Sequence, residues 1–256
     1  MSELIGDSGL EQRRHRLLPR QFHEALRRSY NFVMSMVPAS AKYALGEARR
    51  RKRLPYRIVE DGDIVVQAGA PWDLIESGRS RAIYFARLVG RGKVVVAEPD
   101  PESCDRLRAF LAREKLEERV HIFEGALWRE AGEGTFLSSP LHPAASLLVD
   151  SDDMAKIGAK EMEQRKYRQI TVPLDTLDNV LERFEAGLPK LISVTTNGSE
   201  LAIIDGMTAY IQRGVEFISL AETGIAPGQY LRHMEELGYT CVSRDDRGFT
   251  FRRTSN

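Results

Sequence analysis

With 256 residues the chain has room for one α/β domain with a substantial core plus an appendage. Its 37 basic and 37 acidic residues cancel, which argues against nucleic acid as a partner of the protein as a whole. Cys104 and Cys241 are too few and too far apart for a disulfide framework or a zinc site. No apolar run nears the roughly 20 residues that span a bilayer, and Met1-Ser-Glu-Leu4 is no secretory signal, so a cytoplasmic protein without a metal centre is expected.

Charge is uneven along the chain. The first 57 residues hold thirteen Lys/Arg against five Asp/Glu and end in Arg49-Arg-Arg-Lys-Arg53. Phe22, Leu26, Tyr30, Val33 and Val37 recur at three- and four-residue steps, which predicts an amphipathic helix over residues 22–37. Two uses fit it. Either it packs over an edge of the main domain with Arg27 and Arg28 in water, or it docks on an acidic membrane surface or acidic partner, making the protein peripheral at a membrane. The chain thus divides into a basic helical N-terminal appendage, residues 1–57, and a main domain, residues 58–256.

Asp63-Ile-Val-Val-Gln67 follows the turn pair Asp61-Gly62 and reads as a strand buried on both faces. It stops at Ala68-Gly-Ala-Pro71, where Gly69 lets the backbone come close to a ligand. Ala82, Ile83, Ala86 and Val89 then recur at helical spacing until Gly90. Lys93-Val-Val-Val-Ala97 is a second buried strand. Glu98 stands at its carboxyl end, about 30 residues after the glycine loop, where an acid can accept both ribose hydroxyls of an adenosine. A strand, a small-residue loop, a helix and a second strand ending in an acid make a nucleotide-binding unit.

Pro101 to Leu116 predicts a surface helix with Leu107, Phe110, Leu111 and Leu116 on one face. Val120-His-Ile-Phe-Glu124 is a third strand that ends at Gly125-Ala-Leu127, and His121 within it reads as a core or edge histidine. Gly134-Thr-Phe-Leu137 and Ala145-Ser-Leu-Leu-Val149 predict a hairpin outside the βα rhythm. Asp150-Ser-Asp-Asp153 lacks the spacing of a calcium loop and reads as a polar turn, and residues 151–169 are charged. Ile170-Thr-Val-Pro-Leu174 is extended, with Asp175 or Thr176 capping a helix.

Lys190-Leu-Ile-Ser-Val194 is a fourth buried strand opening onto Thr195-Thr-Asn-Gly-Ser-Glu200, ahead of a helix over 201–207. Gly214 to Leu220 gives a fifth strand and Gln229 to Leu237 a helix. Tyr239–Ser243 and Gly248–Arg252 form a closing hairpin. The rhythm predicts a doubly wound, mostly parallel α/β sheet with an antiparallel edge strand.

The pieces Ile64-Val-Val-Gln-Ala-Gly-Ala70, Glu98-Pro-Asp-Pro101, Glu124-Gly-Ala-Leu127 followed by Gly134-Thr-Phe136, Val172-Pro-Leu-Asp-Thr-Leu-Asp178 and Asn197-Gly-Ser-Glu200 leading to Gly206, in this order, resemble the FkbM-like branch of the class I S-adenosylmethionine-dependent methyltransferases. The resemblance covers about residues 58–253. It implies a Rossmann-like, seven-stranded sheet and an S-adenosyl-L-methionine pocket over its carboxyl ends. It also implies O-methylation of a hydroxyl on a sugar or related small metabolite. By the same resemblance Gly69 and Ala70 lie under the methionine and ribose, Glu98 with Pro99 takes the ribose, and Gly125 and Ala126 border the adenine.

The chain departs from the family pattern in two places. Gln67 replaces the acid before the glycine loop and can hydrogen-bond the cofactor ammonium without a countercharge. The loop is also longer, with its third glycine displaced to Gly78. Asp73 or Glu76 then offers charge, and Arg79 or Arg81 could meet the cofactor carboxylate as residues 71–81 close over it. At the fourth strand, Thr195 and Asn197 replace two acids, leaving Asn197 and Glu200 as the catalytic candidates; Glu200 in a first helical turn also serves the helix dipole. Two functions from different classes follow: an active O-methyltransferase, or a non-catalytic relative that keeps the fold as a binding or scaffolding module. A nicotinamide-dependent oxidoreductase would need a fuller glycine set than Gly69 supplies.

Overall fold

The computed structural model describes residues 36–149, 162–164, 166–223, 226–245 and 248–254. The helix expected over 22–37 and the turn expected at 150–153 lie outside the described residues, save Met36 and Val37. The chain runs α1 (Ala39–Arg50), β1 (Ile64–Ala68), α2 (Trp72–Glu76), α3 (Arg81–Leu88), β2 (Lys93–Ala97) and α4 (Pro101–Glu114). It continues through β3 (Val120–Phe123), β4 (Ala126–Leu127), β5 (Gly132–Ser138), β6 (Leu147–Val149), β7 (Arg168–Asp175), α5 (Leu177–Arg183) and β8 (Leu191–Val194). Last come α6 (Glu200–Asp205), α7 (Thr208–Arg213), β9 (Phe217–Ala221), α8 (Pro227–Glu236), β10 (Tyr239–Asp245) and β11 (Gly248–Arg253).

Seven strands form one sheet in the order β10-β11-β9-β8-β1-β2-β3. β3, β2, β1, β8 and β9 are parallel neighbours, with Val66 registered between Val95 and Ile192. Both faces are covered, as continuous Val/Ile runs require. Val65, Val94 and Leu191 pack with α1, α3 and α4 through Tyr43, Phe85 and Leu107, while Val66, Val95 and Ile192 pack with α5 to α8 through Leu181, Ile204 and Met234. Each such side chain, once buried, contributes about 1.5–3 kcal/mol.

The antiparallel strand is not at the edge, as expected, but one place in. β11 sits between β9 and β10 and runs against both. Polarity explains the exchange. Phe249, Thr250 and Phe251 of β11 are buried and take the interior place, while Ser243, Arg244 and Asp245 of β10 can face water along the edge.

A second sheet, β4-β7-β5-β6, stands beside the first. The sequence showed its β5–β6 hairpin and the extended run of β7, but not that the two pair. β5 pairs over its whole length with β7, which begins some thirty residues later, and β4 adds two residues to the other side of β7.

The basic arm enters the domain core before residue 58. Tyr43 is fully buried, donates to the Ile75 carbonyl at 3.1 Å and accepts from the Ser80 amide at 3.2 Å. Its ring meets Tyr84 edge-on at 4.9 Å and Phe110 at 5.2 Å. Arg50 lies 4.3 Å from the Tyr84 ring centroid and donates to the Tyr56 hydroxyl, so it is drawn inward, whereas Arg49, Arg51, Lys52 and Arg53 remain exposed. Among the described residues no helix is long and apolar enough to cross a membrane.

Candidate active site at the carboxyl ends of the central strands

β1 lies between β2 and β8, where the strand order reverses, and ligands of open α/β sheets bind in the crevice above such a switch point. The three strand ends are tied there. The Gly69 amide donates to Ala97 O at 2.9 Å and the Thr195 amide donates to Ala68 O at 2.9 Å. Gly69 has φ +87°, and a Cβ on it would stand 2.6 Å from the Thr195 carbonyl oxygen. Only glycine serves at this position.

Gln67 does not face the crevice. Strand alternation puts it on the face of Val65, toward α1 and α3. Its Nε2 donates to the carbonyls of Ala68 (2.7 Å) and Gly69 (2.9 Å) and to Thr195 Oγ1 (2.7 Å). This answers the first departure from the family pattern, because a carboxylate would confront two carbonyl oxygens where an amide supplies two protons. The expected contact with a cofactor ammonium is replaced by one that fixes the loop.

Residues 71–81 are not a closing loop. They contain α2, which Arg106 pins to α4 by lying 4.1 Å over the Trp72 ring and pairing with Glu76. Gly78 (φ +72°) lies away from the crevice, where a Cβ would meet Lys42 of α1 at 2.4 Å. Arg81 Nη1 donates to Ser193 Oγ (3.1 Å) and Ser219 Oγ (3.3 Å) along the sheet.

Glu98 follows β2 and lines the crevice beside Pro99. Its carboxylate accepts from the Ala70 amide at 2.6 Å and the Asp100 amide at 3.0 Å. Burial, only partly offset by those two bonds, pushes the carboxyl up to about 7, and the charges of Asp100 and Asp73 add to the rise. Ala70 is thereby enclosed under Glu98, in the core cluster of α1 and α3 and off the crevice wall. Asp100 caps α4, accepting from the Ser103 amide and hydroxyl at 2.9 and 2.7 Å, which holds the strand end still. At the β3 exit Gly125 and Ala126 form the wall, and a Cβ on Gly125 would fall 2.7 Å from the Pro173 carbonyl oxygen.

The β8 tip divides the two catalytic candidates. Asn197 lines the crevice. Glu200 does not: fully buried, it accepts from Thr223 Oγ1 (2.7 Å), Thr196 Oγ1 and the Gly198 amide (both 3.1 Å), and Tyr230 Oη (3.4 Å). Burial raises its pKa against those bonds. It braces the tip against α8 from behind.

Of ten sequence-derived site residues, Gly69, Glu98, Pro99, Gly125, Ala126 and Asn197 meet in one crevice; Gln67, Ala70, Gly78 and Glu200 stand outside it. Sequence reasoning did not place the opposite wall on the crevice: Phe136, Leu147 and Leu148 of the second sheet, with Pro143, Ala144 and Ser146 of the turn before β6. Its one signal was the apolar run after Pro143.

A seven-stranded sheet of this order, with a glycine-cradled crevice and an acid at the second strand end, defines a Rossmann-like methyltransferase domain. The chain belongs to the FkbM methyltransferase family: the family model "Methyltransferase FkbM domain" matches residues 63–241. No curated protein matches the chain. Among solved structures, the methyltransferase FkbM from Methylobacillus flagellatus is 13% identical with a TM-score of 0.49 over 75% of this chain and 43% of its own. A Geobacter sulfurreducens methyltransferase is 14% identical, with a TM-score of 0.43 over 98% of both chains. A Streptococcus pneumoniae protein in complex with S-adenosyl-L-methionine is 11% identical, with a TM-score of 0.38 over 78% of this chain and 71% of its own. The chain spans less than half the length of the Methylobacillus flagellatus protein.

S-adenosylmethionine is the cofactor of this domain, and the crevice fits it. Gly69 lines the crevice without a side chain, Glu98 presents a carboxylate for a ribose diol, and Gly125 with Ala126 offers a small-residue wall for a base.

Proposed function

We propose that the protein transfers the methyl group of S-adenosylmethionine to a hydroxyl oxygen of an uncharged small metabolite, a sugar or a relative of one. The carrying observation is the chemistry of the crevice wall. Among the described residues Glu98 is the one ionisable side chain that lines it; Thr195, Thr196, Asn197 and Ser199 supply neutral hydrogen-bonding groups, and Phe136, Leu147, Leu148 and Ile203 an apolar face. Neither Lys nor Arg is among these lining residues to hold a phosphate or a nucleic-acid backbone.

Bound, the cofactor supplies an electrophilic methyl carbon. On transfer to a hydroxyl oxygen the displaced proton would pass to solvent water, since among the described residues no ionisable side chain but Glu98 lines the crevice. The protein's part is alignment. The crevice can hold a hydroxylated acceptor beside the cofactor, and holding reactants in line supplies much of a displacement's rate.

The test is trideuteromethyl-labelled S-adenosylmethionine with panels of uncharged polyols and sugars, phosphorylated sugars, amines and RNA, read by mass spectrometry. Label on an uncharged hydroxylated acceptor supports the proposal; label on RNA or amines alone contradicts it. One observation favours a second reading, a cofactor-binding module without turnover: the carboxylate of Glu200 is turned away from the crevice. Saturable cofactor binding with no label transfer to any panel would select that reading. The exposed Arg49, Arg51, Lys52 and Arg53 support docking of the same protein on an acidic surface.

A further inference from the structure

The roof of the crevice is a stretch with little side-chain polarity of its own. Pro143, Ala144, Ser146, Leu147 and Leu148 all line the crevice. A single three-residue turn, Pro143–Ala145, precedes β6 and leaves carbonyl oxygens that no helix of its own satisfies. Those carbonyls are taken by side chains from elsewhere in the chain. Asn197 Nδ2, at the β8 tip, donates to Ala144 O at 3.0 Å and to Ser146 O at 2.7 Å. Tyr167 Oη, just before β7, donates to Ala145 O at 2.8 Å. Ser146 Oγ accepts the Ser139 amide at 2.8 Å and closes the loop at its base. Three successive carbonyls are therefore held from two other elements, and the β8 tip is joined to the roof directly across the crevice.

We infer that Asn197 is a positioning residue, whose amide seats the Pro143–Leu148 roof over the crevice and so sets how long a ligand stays beneath it. This rests on the methyltransferase reading and assigns Asn197 a part in it other than touching the reacting atoms. The donor matters more than the size. An amide offers two protons to two carbonyl oxygens; a carboxylate at the same place would present oxygen to oxygen and push the roof away. Since Asn197 is exposed at the crevice mouth, replacing it leaves the core untouched.

The experiment compares wild type with Asn197→Asp, Asn197→Gln and Tyr167→Phe in the full chain. Hydrogen exchange of the Ala144–Leu148 amides reports the roof. The dissociation rate of S-adenosylhomocysteine, followed by competition, reports ligand residence, and thermal unfolding controls for the fold. Asn197→Asp should speed roof exchange and ligand dissociation together, each about fivefold, the worth of one hydrogen bond at about 1 kcal/mol. Asn197→Gln, which keeps the donor on a longer stem, should stay near wild type. Tyr167→Phe should loosen the roof to a smaller degree. Unchanged roof exchange in Asn197→Asp overturns the inference, as does a loosened roof with an unchanged dissociation rate. If wild type binds no S-adenosylhomocysteine, the methyltransferase reading fails separately, and the exchange arm still decides whether Asn197 seats the roof.

Discussion

Adenosine should bind about tenfold more tightly at pH 8 than at pH 6, and Glu98 is the reason. Its carboxyl is only 4% exposed and is pushed by burial up to about 7. A ribose diol that donates to both carboxylate oxygens stabilises the ionised form alone, so binding draws on the ionised fraction. For a pKa of about 7 that fraction rises from about 9% at pH 6 to about 91% at pH 8, a tenfold change or about 1.4 kcal/mol. Adenosine is the suitable probe because it carries the diol but not the α-amino group of S-adenosylmethionine, which titrates nearby. Calorimetry in two buffers of different ionisation enthalpy should show about 0.9 proton released on binding at pH 6 and about half a proton at pH 7. The sign for the free protein runs the other way. An acid whose folded pKa is raised binds its proton in the native state while the unfolded chain has lost it, so stability falls as pH rises from 4.5 toward 7. The loss is on the order of 3 kcal/mol, to be read as falling stability in urea unfolding of the ligand-free protein between pH 4.5 and pH 7. Wild-type adenosine affinity that is flat from pH 6 to pH 8, with no proton release, would refute this reasoning.

Gln67→Glu should destabilise the protein by about 2–4 kcal/mol in urea unfolding, because the buried amide protons on Ala68, Gly69 and Thr195 are replaced by a group that must stay protonated; a loss below about 0.5 kcal/mol would contradict the assignment. Gly69→Ala should cost at least about 2 kcal/mol and weaken cofactor binding, since φ +87° and a contact of 2.6 Å with Thr195 O leave no room for a Cβ; near-normal stability in denaturant would count against the cradle. Protein in which Arg49, Arg51, Lys52 and Arg53 are changed to Glu should lose salt-sensitive co-sedimentation with acidic-lipid vesicles, each basic residue contributing about 1 kcal/mol near the surface. Retention of the variant equal to wild type would place the contact elsewhere.

The sequence carried the sheet because its signals are local. Runs such as Val94-Val-Val96 are buried on both faces whatever their neighbours, and Gly69 and Glu98 close strands in the same unit. It did not carry the second sheet, whose β4 is two residues long and whose β5 finds β7 across a long intervening stretch. Gly69 and Gly78 both take positive φ, and nothing in the text says that one approaches β8 while the other packs on α1. Gln67 was legible in part. Period-two alternation sets it on the face of Val65, away from Val66 and Ala68, and that alone directs it out of the crevice. Glu200 was not legible, because Thr223 and Tyr230, the partners that turn it inward, lie more than twenty residues later and meet it only in the fold. The roof went unseen for the same reason: its apolar side chains carry no chemical mark, and its anchors Asn197 and Tyr167 bind backbone carbonyls that sequence does not display.

The central claim is that the crevice between Gly69, Glu98 and Gly125 holds S-adenosylmethionine, and calorimetric titration of wild type and Glu98→Ala at pH 8 tests it most directly. Wild type should bind one equivalent, and Glu98→Ala, folded by circular dichroism, should bind at least about tenfold more weakly through loss of a charge-assisted contact worth about 1.5–3 kcal/mol. Equal affinity in the two proteins, or no saturable binding by folded wild type, would contradict the account.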